Sequence, residues 1–431
     1  MKKSILLIIA VCALPGFRPA TAQSFYLSSS PLVGYNSMTV AAADFNGDGK
    51  IDLAGFDNND VLTILTNSGN GSFSVCSTNR YFFSIQSITA ADVNHDGKVD
   101  IITANRYGNT VTTLTNNGSG IFAPSQTNDV GNQPYWVAVA DIAGDTNVDL
   151  VVANFNDATV TVLTNNGGGS FKSNATYSAG SSGAFQLAAA DLNADGRADL
   201  VIPNFYTNTI TILTNSGGVL YSNATYAVGQ GPAFVAMADL NGDGRSDVVV
   251  ANYYDSSITV LTNSPGGILH SNATYSGFSG AYALAVADVN GDGKPDVIVS
   301  DFGSRSMSIL TNDGSGGFAL AITLATGQGP TSAAAADLNG DGRIDLVSAN
   351  EYEYTLSVYL NQVSLDIRRS GMNVLVTWPA NATNWTLLQN TNLATTNWTA
   401  FATANVGDNG ILKTATNQPA TGNKFFRLVH P

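Results

Sequence analysis

The chain has 431 residues, 12% of them charged, and a formal charge of −14, a balance that disfavours nucleic acid as a partner. It contains two cysteines, Cys12 and Cys76. If Cys12 leaves with an N-terminal signal, no internal disulfide can form and rigidity has to come from elsewhere, with metal sites the first candidate.

The first predicted element is that signal, over residues 1–22. Lys2 and Lys3 supply the charged start, Ile5–Ala13 the apolar stretch and Ala20-Thr21-Ala22 the small-residue cleavage site. The apolar run is too short to span a bilayer, and no later segment is long enough for a membrane anchor. Loss of Lys2, Lys3 and Arg18 takes the charge from −14 to −17. The expectation is a mature chain beginning near Gln23, exported to the cell surface or beyond, with a double-lysine start of bacterial type.

From residue 23 to 362 the sequence repeats. The pattern Asp-x-Asn-x-Asp-Gly-x-x-Asp begins at Asp44, Asp92, Asp141, Asp191, Asp239, Asp288 and Asp337. Each unit opens with a small or alternating apolar run such as Trp136–Ala140, followed by the Asp loop and a second apolar run such as Val248–Ala251. A third, alternating run such as Ser257–Leu261 follows, and a Thr-Asn-x-Gly-type turn leads to a fourth around Phe171 or Tyr221. Four short strands per unit predict a propeller blade, and no 3.6-residue periodicity argues for helices. The seventh unit stops after its third strand at Leu360-Asn361, and Ser24–Ser30 is placed to complete it. The predicted fold is all-β: a seven-bladed β-propeller closed on itself, with no open edge.

From 363 to 431 the repeat vanishes and Trp378, Trp385 and Trp398 appear. Runs at Asn373–Trp378, Trp385–Leu388, Trp398–Ala402 and Phe425–Val429 predict a small C-terminal β-sandwich-like module, with the tryptophans read as core rather than as a sugar platform.

The Asp loops, together with Val137-Ala138-Val139-Ala140-Asp141 and Gly329-Pro330, resemble the FG-GAP/VCBS repeats of integrin α-chain propellers and of many bacterial exported proteins. The resemblance covers roughly residues 24–361 and implies a calcium-binding propeller. It leaves the ligand open, because such scaffolds serve adhesion, sugar binding and occasionally catalysis.

Calcium takes several oxygen ligands at alternate positions of a short segment. In the first loop Asp44, Asn46 and Asp48 would give side-chain oxygens, Lys50 its carbonyl, and Asp52 would close the shell. The corresponding sets are Asp92, Asn94, Asp96, Lys98 and Asp100; Asp191, Asn193, Asp195, Arg197 and Asp199; and Asp239, Asn241, Asp243, Arg245 and Asp247. Asp288, Asn290, Asp292, Lys294 and Asp296, then Asp337, Asn339, Asp341, Arg343 and Asp345, complete six sites. The basic side chain at the seventh position can neutralise excess carboxylate charge from outside. The third loop, Asp141–Asp149, has Ala143 for the Asn, Thr146 for the Gly and Asn147 for the basic residue, so its site is expected to be weak or empty. An EF-hand is excluded because its twelfth-position Glu is replaced here by Gly55, Thr103, Val152, Ile202, Val250, Val299 or Ser348.

The resemblance places the calcium loops on one face of the ring and the loops around the second and first strands on the other. That second face is rich in aromatic residues. Tyr135, Trp136, Phe185, Phe234, Tyr253, Tyr254 and Tyr282 are candidate ligand contacts for stacking sugar rings or anchoring a protein loop, the competing reading being packing between blades. An Asn or Asp thirteen residues after each loop start, from Asp57 to Asn350, reads as a structural turn. No Gly-x-Ser-x-Gly elbow occurs, and His95, His270 and His430 form no evident catalytic set. The expected function is an extracellular binding or adhesion protein for a glycan or protein. A polysaccharide-directed lyase or hydrolase and a structural component of a surface assembly are the alternatives.

Overall fold

The structure, a computed structural model, describes residues 24–34, 39–81, 83–180 and 183–362, and in the tail the segments 366–370, 373–379, 386–390, 399–401, 406–408, 412–417 and 425–429. The expected signal, Trp385, Trp398 and His430 lie outside the described residues.

Seven four-stranded antiparallel sheets follow one another along Leu27–Leu360, which forms one compact unit. In the third, β10 (Pro134–Ala140) pairs with β11 (Asp149–Asn154), β11 with β12 (Thr159–Asn165), and β12 with β13 (Phe171–Ser178). The physical reason for each strand is visible in its burial. β11 is buried at every position because its sheet is covered on both faces, which is why it reads as an unbroken apolar run. The outermost strand β13 is exposed at most positions beyond Phe171 and carries the polar Lys-Ser-Asn-Ala-Thr stretch. A bulge between the third and fourth strands recurs at one place, Ile64/Leu65 in the first blade and Val162/Leu163 in the third, and increases the local twist.

The core sits between blades rather than within them. Val151 and Ala153 of the third blade pack with Leu200 and Ile202 of the fourth. The same pattern closes the circle, where Leu338, Val347 and Val358 of the last blade pack with Leu53 and Leu65 of the first. The last sheet has the order β1-β28-β27-β26, so β1 (Ser24–Ser29) adds its fourth strand to β26 (Pro330–Ala336), β27 (Asp345–Asn350) and β28 (Thr355–Gln362), as the spacing predicts.

The second unit contains the tail. One of its sheets joins β29 (Asp366–Ser370), β30 (Asn373–Pro379), β34 (Leu412–Asn417) and β33 (Val406–Asp408); the other joins β32 (Thr399–Ala400), β31 (Thr386–Asn390) and β35 (Phe425–Val429). Trp378 is buried, as are Val376, Leu387 and Phe426, consistent with a core role. The strands β29, β33 and β34 were not among the predicted runs.

Candidate functional site

Within each blade the antiparallel order puts the Asp loop and the Thr-Asn turn at one end of the sheet, and the loops after the second and fourth strands at the other. The two ends do different work.

At the acidic end the first loop folds around its own carboxylates. Gly47 and Asp48 donate their N–H groups to Asp44 Oδ1, at 2.7 and 3.2 Å, and Gly49 donates to Asp44 Oδ2 at 2.7 Å. Asn46 Oδ1 accepts from Asp48 N–H, and Asp48 Oδ1 accepts from Lys50 N–H. The basic seventh residue neutralises the fifth in three loops: Lys50 meets Asp48 at 2.6 Å, Lys98 meets Asp96 at 3.2 Å and Arg245 meets Asp243 at 2.8 Å. Lys294 instead donates to the Asp313 carbonyl.

The ninth residue has a role that spacing does not reveal. Asp247 is sealed from solvent; its Oδ2 accepts from Leu240 N–H at 3.0 Å and its Oδ1 from Asn263 N–H at 2.7 Å. Asn263 in turn donates its Nδ2 to the Leu192 carbonyl of the preceding blade at 2.8 Å. Asp52, Asp100, Asp149, Asp199 and Asp296 accept equivalent amide pairs. Asn67 reaches Leu338 O across the ring closure at 2.6 Å. Asn116, Asn165, Asn215 and Asn312 reach Phe45, Val93, Ile142 and Leu240 in the same way. Burial raises the carboxyls of Asp52, Asp100, Asp149, Asp199, Asp247 and Asp296, to about 6 at Asp296, against the opposing pull of their amide donors.

As a donor set the loops offer only oxygens, two carboxylates, an amide oxygen and a carbonyl, which suits a hard cation such as calcium. The ninth carboxylate turns inward to its amides, and among the described residues no three acidic, imidazole or thiol groups converge as a metal cluster. Asp141 of the third loop holds Gly144, Asp145 and Thr146 N–H as its counterparts do. Thr146 does so at φ +74°, where the first, second and fourth to seventh loops have glycine. A β-branched residue is strained in that region. Thr146→Gly is therefore expected to raise unfolding stability by about 1–2 kcal/mol, readable in a urea titration.

At the opposite end, the Asn/Asp ring is structural, as read. Asn105, Asn154, Asn204, Asn252 and Asn350 each donate Nδ2 to two hydroxyls of the next strand, such as Thr159 and Thr161 for Asn154. In the sixth blade Asp301 stands there, 2% exposed, with the Ser306 and Ser308 hydroxyls donating to it. Burial pushes its carboxyl up to about 6. A raised acid stabilises the fold at pH below its unfolded value near 3.8, and that contribution is lost as pH rises through about 6. Asp301→Asn should thus add about 2–3 kcal/mol near pH 8 and little near pH 4, a convergence that denaturation curves across pH would display.

Above that ring lies the aromatic face. Tyr135, Trp136, Phe185, Phe234 and Tyr282 meet around one cavity with Thr39, Gln86, Gln186, Ala233 and Thr331, so that all seven blades contribute to it. The enclosed space is about 30 Å³, beneath a mouth open to solvent. Trp136 packs edge-on to Phe234, with centroids 5.4 Å apart, across from the third blade to the fifth. Tyr253 and Tyr254 lie outside the cavity but continue the rings: Phe205 contacts Tyr254, which contacts Tyr253, which contacts Tyr282. The packing reading therefore holds for part of this set. Trp136, Phe185, Phe234 and Tyr282 are all partly covered by neighbouring rings, and the most exposed rings are others. Tyr107, Tyr206, Tyr254 and Tyr352 form a rim, exposed by 69, 60, 63 and 51%. Glycines seat these rings: a Cβ on Gly280 (φ +68°) or Gly329 (φ +64°) would come within 3.0 Å of Tyr253 or Tyr352. Arg106 lies 4.9 Å from the Tyr107 centroid and 4.6 Å from that of Tyr135. Gln86, Gln186, Arg106 and Glu351 were missed in the sequence, where single polar residues between aromatic ones carry no motif.

These features define a seven-bladed propeller with acidic loops at one end and an aromatic mouth at the other. The FG-GAP-like repeat model matches residues 44–103, 92–152, 141–202, 239–299 and 288–348, and the chain belongs to that family. No curated protein matches the sequence. Among solved structures it is similar to BBS1N in complex with ARL6DN, soaked with lead, with a TM-score of 0.59 and 13% identity over 79% of this chain and 98% of that one. The mercury-soaked counterpart gives 0.59 and 13% over 78% and 97%. Kuenenia stuttgartiensis hydrazine synthase gives 0.56 and 12% over 78% and 99%. At such identities the likeness shows the fold alone. Among the described residues, no helix is long and apolar enough to cross a membrane.

Proposed function

We propose that this protein is an exported, calcium-stabilised binding protein that recognises a glycan at the aromatic mouth of its propeller. The observation that carries the reading is the composition of that mouth. Exposed rings that can stack on a sugar face, Tyr107, Tyr206, Tyr254 and Tyr352, rim a cavity lined by Tyr135, Tyr282 and the buried amides and hydroxyls of Gln86, Gln186, Thr39 and Thr331. Calcium would be held by the first, third and fifth side chains and the seventh carbonyl of six loops, stiffening the end of the ring remote from the ligand. A protein ligand is the second reading. Exposed tyrosines such as Tyr206 and Tyr254 also anchor protein interfaces, and the BBS1N propeller is found in complex with a protein.

A glycan array probed with the chain from Gln23 to Pro431, in millimolar calcium and again with chelator, separates these readings. Calcium-dependent hits support glycan recognition, and incubating the hits then checks for cleavage. A blank array with folded protein moves the reading to a protein ligand.

A further inference from the structure

Counting from the Asn/Asp ring, the next residue in each blade faces a comparable place at the mouth. Blades three to six put rings there: Phe155, Phe205, Tyr253 and Phe302. The seventh puts Glu351 there instead. Its backbone N–H is fixed to the Gly329 carbonyl at 2.9 Å. Tyr253 lies 5.9 Å from Tyr282 and 6.0 Å from Phe302; Phe302 lies 5.8 Å from both Tyr282 and Tyr352. Four rings from three adjacent blades thus form one cluster, and Glu351 holds the backbone register of Tyr253 and Phe302, next in the chain to Tyr352.

We propose that Glu351 and the rings of Tyr253, Tyr282, Phe302 and Tyr352 form a subsite for a protonated amine, so that the glycan recognised is one carrying free amino groups, a deacetylated amino-sugar polymer. The inference rests on the glycan reading given above and narrows it. An ammonium group is attracted both by a carboxylate and by the faces of aromatic rings, and the attraction grows where water is excluded. Burial raises the Glu351 carboxyl, a cost that an incoming cation would relieve. Its charge also reaches the rings: after burial, Glu351 is the foremost influence raising Tyr282, and it raises Tyr352 as well. The formal charge of −14 adds a long-range attraction for cationic polymers that has no preference for sugars, and the test has to separate the two.

The experiment is isothermal titration of the calcium-loaded chain with four oligomers of equal length: glucosamine, N-acetylglucosamine, glucose and lysine. Wild type should bind the glucosamine oligomer about tenfold more tightly than its acetylated or neutral counterparts. Glu351→Gln should remove that preference without changing the melt, and Glu353→Gln, an exposed carboxylate two residues on, should keep it. Equal affinity for the amino and acetylated oligomers, or a preference that survives in Glu351→Gln, overturns the subsite while leaving neutral-glycan recognition standing. Lysine oligomer binding as tightly as the glucosamine oligomer, with both variants weakened alike, shows bulk charge attraction and also overturns it. Binding of no sugar oligomer removes the glycan reading and the subsite together.

Discussion

Removing calcium is expected to lower the melting temperature by more than about 10 °C. Each of the six intact loops gathers two carboxylates, an amide oxygen and a carbonyl within seven residues, and a site filled at a hundred times its dissociation constant adds about 2.7 kcal/mol. The same titration should count six ions, because Ala143 and Thr146 deprive the third loop of a ligand and of its glycine. Asp191→Ala should therefore reduce the count, and Asp141→Ala should not. Differential scanning calorimetry with and without chelator checks the shift, and an unchanged melt would remove calcium from the account.

Breaking one pin between blades should cost as much as losing one or two ions. Asp247→Ala leaves the N–H groups of Leu240 and Asn263 buried without acceptors. The expected loss is about 3–5 kcal/mol. Asn263→Ala removes the donor to Leu192 O and should cost about 2–3 kcal/mol. The double variant should lose less than the sum, since both act through one buried network. Guanidinium denaturation measures all three, and single losses below about 1 kcal/mol would show that packing alone joins the blades.

These pins mark where the sequence stops being readable. Strand number, ring closure by Ser24–Ser29 and the acidic loops follow from spacing alone, because a strand buried on both faces must be apolar and a tight acidic turn must carry glycine. Asn263 was legible only as part of a turn. Its second job, reaching a carbonyl 71 residues away, depends on how blades stack, which no local pattern encodes. A clue was present, since the turn needs glycine nearby yet every repeat also keeps Asn, from Asn67 to Asn361. The aromatic face was legible as a composition but not as a surface. Trp136 and Phe234 come from non-neighbouring blades and meet over the axis, whereas Tyr107 and Tyr206, equally plain in the sequence, turn outward. Glu351 gave no signal until its register was compared with Tyr253 and Phe302.

The measurement that bears most directly on the central claim takes whichever glycan binds on the array and titrates it against a variant with Tyr107, Tyr206, Tyr254 and Tyr352 all changed to Ser. The rim rings are half or more exposed but each also meets an inner neighbour, so affinity should fall by about a hundredfold or more while the variant, with a lowered melt, stays folded at the assay temperature. Unchanged affinity in a folded variant would place the ligand elsewhere and contradict the assignment of the aromatic mouth.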